Sequence, residues 1–295
     1  MPDVADLPVS RPRRVRSDAP FYVILGVIGG TYVLLIVAML AADAAYMVTG
    51  EPSEVVGGAW ARDHPVLAAV VNNPIVAALA KPEIQYSIRL SMLSCTATAI
   101  LSLWIAIPVG YLLSRHRFFG RNLIDAILDI PIVLPPLVVG LSLLILFQFL
   151  PRVFREAVVY EIPAVVLAQL MVACAFAVRV MRATFDQIDP RPEQVALTLG
   201  CSRAQAFGMV VLPEAKRGIL TAGTLAWARA LGEFGPLLIF AGATRNKTEV
   251  LSTTVFLELS IGDLEAAVAV SLIMVVAAVI VLMVARLWGT RNLTL

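Results

Sequence analysis

Arg229 and Glu233 place opposite charges four residues apart in an otherwise apolar run, ARALGEFGPLLIFAG (228–242). A helix puts residues i and i+4 on one face, so the two side chains can pair. A charge at the centre of a bilayer costs about 2.5–3.5 kcal/mol, and an ionisable residue at that depth is by default a functional hypothesis. Two interpretations stay open: a purely structural ion pair, or a pair that acts at a pathway or gate.

Three prolines interrupt another apolar run, LDIPIVLPPLVVG (128–140), at Pro131, Pro135 and Pro136. Each proline removes a helical hydrogen bond, so the backbone is predicted to be kinked or unwound there. A bilayer tolerates the freed carbonyl groups where they are buried in protein or line a water-filled cavity. The prolines indicate either a packing kink or a pore-lining segment, and Pro135 and Pro136 join the charged pair as pore or gate candidates.

The other reactive side chains form no catalytic or metal-binding pattern. Cys95, Cys174 and Cys201 are far apart, and no CxxC pair or histidine cluster accompanies them. His64 and His116 are predicted to lie on opposite sides of a membrane, which leaves an enzyme without a nucleophile–base pair. The sequence has no GxxxxGK[ST] phosphate loop, so the chain is expected to bind neither ATP nor another cofactor. A net charge of +2 gives no support for nucleic-acid binding.

A polar stretch, PEQVALTLGCSRAQAFGMVVLP (192–213), is predicted to form two short helices joined by a turn. Pro192 suits the first position of a helix, where its missing N–H costs nothing. Gly200 fits the left-handed position after a helix. The residues SRAQ (202–205) form a capping box that opens the second helix, and Pro213 is predicted to follow its end.

This hairpin could be a DNA-binding helix–turn–helix, an ordinary solvated loop or a docking element. Only Arg191 and Arg203 supply cations, and both ends are tethered to apolar runs, which disfavours DNA binding. Val195, Ala196 and Leu199 form a small apolar stripe. The stripe favours a rigid knob offered to a partner protein.

The composition of the whole chain is that of a membrane protein. Hydrophobic residues make up 59% of the sequence, and the mean hydropathy is +0.86. A hydrocarbon core of about 30 Å needs roughly 20 apolar residues of helix. The sequence therefore predicts an all-α polytopic membrane protein with six transmembrane helices, at about 21–46, 87–113, 123–149, 162–183, 218–242 and 264–288.

The loop charges orient these helices. Most loop arginines and lysines lie in the N-terminal tail, in 114–121, in and beside 184–217, and in the C-terminal tail. By the positive-inside rule, both termini and the hairpin are predicted to be cytoplasmic. The first run is longer than the roughly 7–15 apolar residues of a signal peptide, which favours a retained anchor over a cleaved leader. The predicted segments are a basic cytoplasmic tail (1–20), an anchor with an outside segment (21–83) and a core domain (84–290) with the hairpin at about 190–213.

The hairpin resembles the EAA loop of ABC-importer permeases of the MetI-like type. That loop reads E-A-A, three residues, Gly, nine residues, an aliphatic residue, one residue and Leu-Pro. Gly200, Val210 and Leu212-Pro213 fit this spacing, and Ala196 fits the third position. Gln194 and Val195 stand where Glu and Ala are usual, while Glu193 is one residue early, so either Glu193 or Gln194 meets the partner. The resemblance implies that the hairpin couples the chain to a cytoplasmic ABC ATPase, and that this partner binds the ATP. The coupling residues that it implies are Glu193, Gln194, Ala196, Gly200, Leu212 and Pro213.

Three further stretches, LPPLVVG, ARALGEFG and SIGDLEAA (260–267), resemble the molybdate, tungstate and sulfate branch of these permeases. The resemblance implies a type I importer permease fold and a dimer with a second copy or a related permease. It also implies an outside solute-binding protein that delivers a tetrahedral oxyanion. A carboxylate is a poor oxyanion ligand, so Glu233 is expected to hold Arg229 or to shape the gate.

An ion-coupled secondary transporter or channel is the main alternative. Such transporters carry interrupted helices at corresponding positions of two repeats. Here the interrupted spans are the third and the fifth, which do not correspond between two halves of three, and the hairpin stays unexplained. The sequence favours an ATP-driven importer permease.

Overall fold

The structure is a computed structural model that describes residues 19–49 and 78–290. Within these ranges the regular structure is entirely helical, as predicted. The chain divides into two compact units, residues 1–49 and 50–295. The basic tail up to residue 18 and most of the predicted outside segment lie outside the described residues.

The first unit contributes one helix, α1, Ala19–Thr49. Its apolar stretch, Val23–Tyr46, is 24 residues long and uncovered along its length. At 1.5 Å per residue this stretch is about 36 Å long, enough to cross a hydrocarbon core of about 30 Å. The predicted first span is therefore a continuous helix.

The second unit is built around two long helices, α2 (Pro82–Arg115) and α6 (Ile162–Gln187), which pack along each other. Gly110 of α2 permits this approach, because a Cβ there would lie 2.9 Å from the Cβ atom of Met181. The other helices of this unit are α3 (Arg121–Val133), α4 (Pro136–Gln148), α5 (Arg152–Val158), α7 (Arg191–Thr198), α8 (Arg203–Ala206), α9 (Leu212–Glu214), α10 (Lys216–Leu231), α11 (Leu251–Ile261) and α12 (Leu264–Thr290).

Four helices of the described residues, α1, α2, α6 and α12, are long and apolar enough to cross a membrane, or five spans if α3 and α4 are one bent span. The other predicted span, 218–242, is divided between α10 and a π-helical turn at Leu237–Ala241. Proline and glycine cause both interruptions, because they remove hydrogen bonds or favour non-helical backbone.

Candidate functional site

The first interruption lies between α3 and α4, which are bent by 112° relative to each other. Leu134 and Pro135 are extended, with ψ near 141° and 132°, and Pro136 then opens α4. Pro131 lies inside α3 and does not break it. The predicted kink is thus confirmed, and it lies at the two consecutive prolines, where two backbone N–H groups are missing.

The second interruption, Gly232–Gly235, packs directly against the first. A Cβ on Gly235 would lie 2.9 Å from the backbone nitrogen of Leu137 and from the Cβ atom of Pro136. In return, a Cβ on Gly140 would lie 2.7 Å from the Cα atom of Pro236. Each broken segment therefore presents a glycine to the proline turn of the other. We call this contact the crossing.

Arg229 and Glu233 form the predicted ion pair beside the crossing, with Nη1 of the arginine 2.8 Å from Oε2 of the glutamate. The Glu233 side chain is 1% exposed, whereas that of Arg229 is 30% exposed. The guanidinium also lies 5.7 Å from the ring centroid of Phe176, a cation–π distance. Among the described residues no hydroxyl or amide donates a hydrogen bond to the Glu233 carboxylate, so Arg229 is its main compensation.

A cavity of about 300 Å³ at the crossing is lined by all four pore or gate candidates, Pro135, Pro136, Arg229 and Glu233, together with Leu137 and residues 232–235. An anion in this cavity would meet a guanidinium whose charge Glu233 already balances.

The hairpin has the predicted turn and cap. Gly200 has a φ of +93°, in the left-handed region that favours glycine. The Ser202 N–H donates to Oε1 of Gln205 at 2.8 Å, and the Gln205 N–H donates to Oγ of Ser202 at 3.3 Å. The capping box is therefore closed in both directions.

One detail of the predicted hairpin is wrong: Pro213 does not follow the end of the second helix. The backbone instead makes a π-helical turn at Phe207–Val211 and then continues through α9, in whose first turn Pro213 lies. The Leu212 N–H donates to the carbonyl of Phe207, five residues back.

Glu193 and Gln194, the two residues that could meet the partner, face different ways. The Tyr111 hydroxyl donates to the Glu193 carboxylate, and the Arg115 Nε atom lies 3.5 Å from it. Both partners belong to α2, so Glu193 ties the hairpin to a long helix of the bundle. Gln194 is exposed. The geometry therefore leaves Gln194 on the outer surface and gives Glu193 an internal anchoring contact.

The predicted apolar stripe divides in the same way. Ala196 is buried, whereas Val195 and Leu199 are exposed, Leu199 to 80%. Met209, from the π-helical turn, is exposed as well. We call Val195, Leu199 and Met209 the apolar knob. Leu212 is half-buried and Pro213 is exposed.

An aromatic cluster that sequence reasoning missed fixes the base of the hairpin. The ring centroid of Tyr111 lies 4.7 Å from that of Phe207 and 5.7 Å from that of Phe185. These three residues come from three separate elements, so no local spacing announces the cluster. Its edge-to-face contacts add to the burial of apolar surface.

The chain's family can now be stated. A model of the family described as "Binding-protein-dependent transport system inner membrane component" matches residues 106–293, more than half of the chain. The chain belongs to this family. It is accordingly the permease subunit of a transport system, a multi-pass membrane protein rather than an enzyme, and the matched residues include both the hairpin and the crossing.

Relatives of the permease bear the names of sulfate, molybdate/tungstate and molybdenum transport permeases. It is 33% identical over 208 residues to the sulfate transport system permease protein CysT of Salmonella typhimurium, covering 68% of this chain and 75% of the relative. It is 36% identical over 181 residues to the molybdate/tungstate transport system permease protein WtpB of Pyrococcus abyssi, covering 61% and 67%. It is also 32% identical over 177 residues to the molybdenum transport system permease protein ModB of Haemophilus influenzae, covering 58% and 77%.

Solved structures confirm the fold. The permease superposes with a TM-score of 0.67 and 16% identity on a chain of a bacterial ABC transporter that imports the acidic polysaccharide alginate, covering 94% of this chain and 97% of the other. A second structure, the alginate transporter with its alginate-bound periplasmic protein, gives a TM-score of 0.61 at 16% identity. At this identity the likeness shows the type I ABC importer permease fold alone.

At the other end of α2, a set of ion pairs joins separate segments of the permease. Lys81 Nζ lies 2.7 Å from Asp263, and Arg245 Nη2 lies 2.9 Å from Glu258. Burial alone would raise the pKa of Asp263, but hydrogen bonds from Lys81 and a backbone N–H outweigh it, and this pKa is lowered. Burial raises the pKa of Glu249, which Arg245 approaches only to 3.9 Å.

The crossing gives a prediction with a matched control. Gly235→Ala is expected to reduce transport strongly, because the new methyl group would meet the backbone of α4. Gly232 lines the same cavity, but a Cβ there would lie 3.8 Å from the carbonyl oxygen of Ala228, an ordinary contact. Near-normal transport is therefore expected for Gly232→Ala. Uptake measured at matched expression compares the two variants. Equal activity of the two would mean that the close approach at Gly235 is not needed.

Proposed function

We propose that this permease forms the membrane pathway for a tetrahedral oxyanion of the sulfate, molybdate or tungstate class, driven by ATP hydrolysis in a separate subunit. The observation that carries the proposal is the cavity at the crossing, where Arg229 is the cation and Glu233 balances its charge. The names of the relatives support the same substrate class. The alginate importers share only the fold.

The proposed arrangement has six spans with both termini in the cytoplasm. Loop charge supports this orientation. Five of the spans are α1, α2, the bent α3–α4 pair, α6 and α12, and the divided segment of α10 and Leu237–Ala241 is the remaining one. The hairpin then faces the cytoplasm, and the ion pairs of Lys81, Arg245 and Asp263 face outward.

The proposed partners follow from these two faces. An ABC ATPase docks on the apolar knob, and Glu193 passes its movement to α2 through Tyr111 and Arg115. A solute-binding protein delivers the anion to the outer face. A second permease, identical or related, completes the pathway, because one copy surrounds the cavity only in part.

Uptake into proteoliposomes tests the function. The permease is reconstituted with its ABC ATPase and its solute-binding protein, and radioactive sulfate or molybdate is supplied outside. We expect accumulation that requires both ATP and the binding protein. Accumulation driven by an ion gradient without ATP would instead identify a secondary transporter, and uptake of an uncharged solute alone would refute the oxyanion class.

A further inference from the structure

An open groove of about 570 Å³ lies between α2, α10 and α12 and shares no residue with the cavity at the crossing. Its walls are mostly aliphatic, with Ile100 and Leu103 from α2, Leu220 from α10 and Val281 from α12. Ile100 is 62% exposed, so the groove opens toward the surroundings of the bundle. In a membrane protein, a face that no protein segment covers meets lipid.

The shape of the groove comes from two residues of α10. Gly223 has no side chain, and a Cβ there would lie 3.0 Å from Leu103, so the glycine deepens the floor. Trp227 closes one end and is 9% exposed. Its indole N–H donates to the Thr96 hydroxyl at 3.4 Å, which leaves the ring as an apolar wall.

The opposite end of the groove is basic. Lys216 and Arg217 begin α10, and they are the charged residues among those that line the groove. Arg217 also lines a neighbouring cavity together with Glu214, so the charge of Arg217 acts on both the groove and that cavity. The orientation proposed above puts this basic end at the cytoplasmic surface of the membrane.

The length of the groove suits one acyl chain. Lys216 and Trp227 are about 16 Å apart along α10 at 1.5 Å per residue, close to half of a hydrocarbon core of about 30 Å. An acyl chain of one leaflet occupies the same half of that core. The aliphatic walls therefore match an acyl chain in length and in polarity.

We propose that this groove binds an anionic phospholipid of the cytoplasmic leaflet. One acyl chain lies along α10 as far as Trp227, and the phosphate group contacts Lys216 and Arg217. Anionic headgroups are attracted to clustered lysine and arginine at the membrane surface, and the apolar walls remove the chain from competing lipids. A lipid held here would brace α10, which ends at the crossing.

Trp227 provides the test. The full-length chain, with Trp60, Trp104 and Trp288 replaced by phenylalanine, is assembled with its ATPase in nanodiscs that contain brominated phosphatidylglycerol or brominated phosphatidylcholine. Bromine quenches tryptophan on contact. We expect Trp227 to favour the anionic lipid at least about fivefold, since each cation near the surface contributes a factor of about five. Lys216→Gln should lower this preference about fivefold, and Lys216→Gln with Arg217→Gln should abolish it.

Two controls separate this site from general lipid contact. Arg121→Gln removes a cation of the 114–121 loop that does not line the groove, and the preference should persist. A chain with Trp104 as its sole tryptophan, 76% exposed on α2, should be quenched equally by both lipids. Equal quenching of Trp227 by both lipids would overturn the proposal. Loss of all Trp227 quenching in the assembled transporter would overturn it too, because a protein segment would then cover the groove. Neither result depends on the transported anion.

Discussion

Removing either Arg229 or Glu233 is expected to impair assembly more than removing both. Glu233 is almost completely buried and has Arg229 at 2.8 Å as its main compensation. Breaking a buried ion pair by deleting one partner costs about 3–5 kcal/mol, because the other charge stays behind. Replacing both partners with uncharged side chains avoids that cost. Arg229→Met should be the more damaging single change, since it strands the more deeply buried group.

A double-mutant cycle measures this coupling. Arg229→Met, Glu233→Gln and the double variant are compared for thermal stability of the detergent-solubilised complex and for uptake. The matched control is the Lys247–Glu161 pair, whose side chains are 46% and 39% exposed. Exposed pairs of this kind contribute about 0.2–1 kcal/mol, so Lys247→Met and Glu161→Gln should be nearly additive.

The double variant also separates the two roles left open by the sequence. If the pair is only structural, the double variant regains both stability and uptake. If Glu233 acts at the gate, the double variant assembles but hydrolyses ATP without matching uptake. Purely additive losses in stability and uptake would show that the two side chains do not interact, contrary to the structure.

Gly200→Val is expected to weaken ATPase association strongly while leaving the membrane bundle folded. A φ of +93° strains a β-branched residue by roughly 1–2 kcal/mol. No atom lies within 4 Å of the added Cβ, so any loss reflects backbone conformation rather than a clash. Relief of this strain by a tilt of α7 against α8 would displace the apolar knob.

Gly208→Val is the matched control. Gly208 lies in the same hairpin, also has open space around its Cβ position, and has no positive φ. Co-purification of the ATPase should fall about 5- to 30-fold for Gly200→Val and remain near normal for Gly208→Val. Normal ATPase binding by Gly200→Val would contradict the docking role. Equal loss in both variants would mean that any side chain added to the hairpin surface blocks the ATPase, whatever the geometry of the turn.

The features that sequence reasoning placed correctly are those specified by neighbours in the chain. The break at Pro135–Pro136, the i to i+4 pair of Arg229 and Glu233, and the turn at Gly200 each depend on a few adjacent residues. Local backbone chemistry therefore determines them, whatever the rest of the fold does.

The features that could not be predicted depend on approach between distant segments. Nothing near Gly140 indicates that it meets Pro236, and nothing near Glu193 indicates that Tyr111 binds it. The passage of the helix through Pro213 needed a π-helical turn, which no residue pattern signals. Side-chain direction on a short helix is set by what packs beneath it, and that information lies elsewhere in the sequence.

The length of α2 has a thermodynamic consequence. This helix of 34 residues is about 51 Å long and is held at both ends by charge, through Lys81 with Asp263 and through Arg115 with Glu193. If the two ends change arrangement together, they share one coupling free energy. Linkage then requires reciprocity: whatever the state of the hairpin does to the affinity of the Lys81 end for a ligand, that ligand does equally to the hairpin's affinity for its partner.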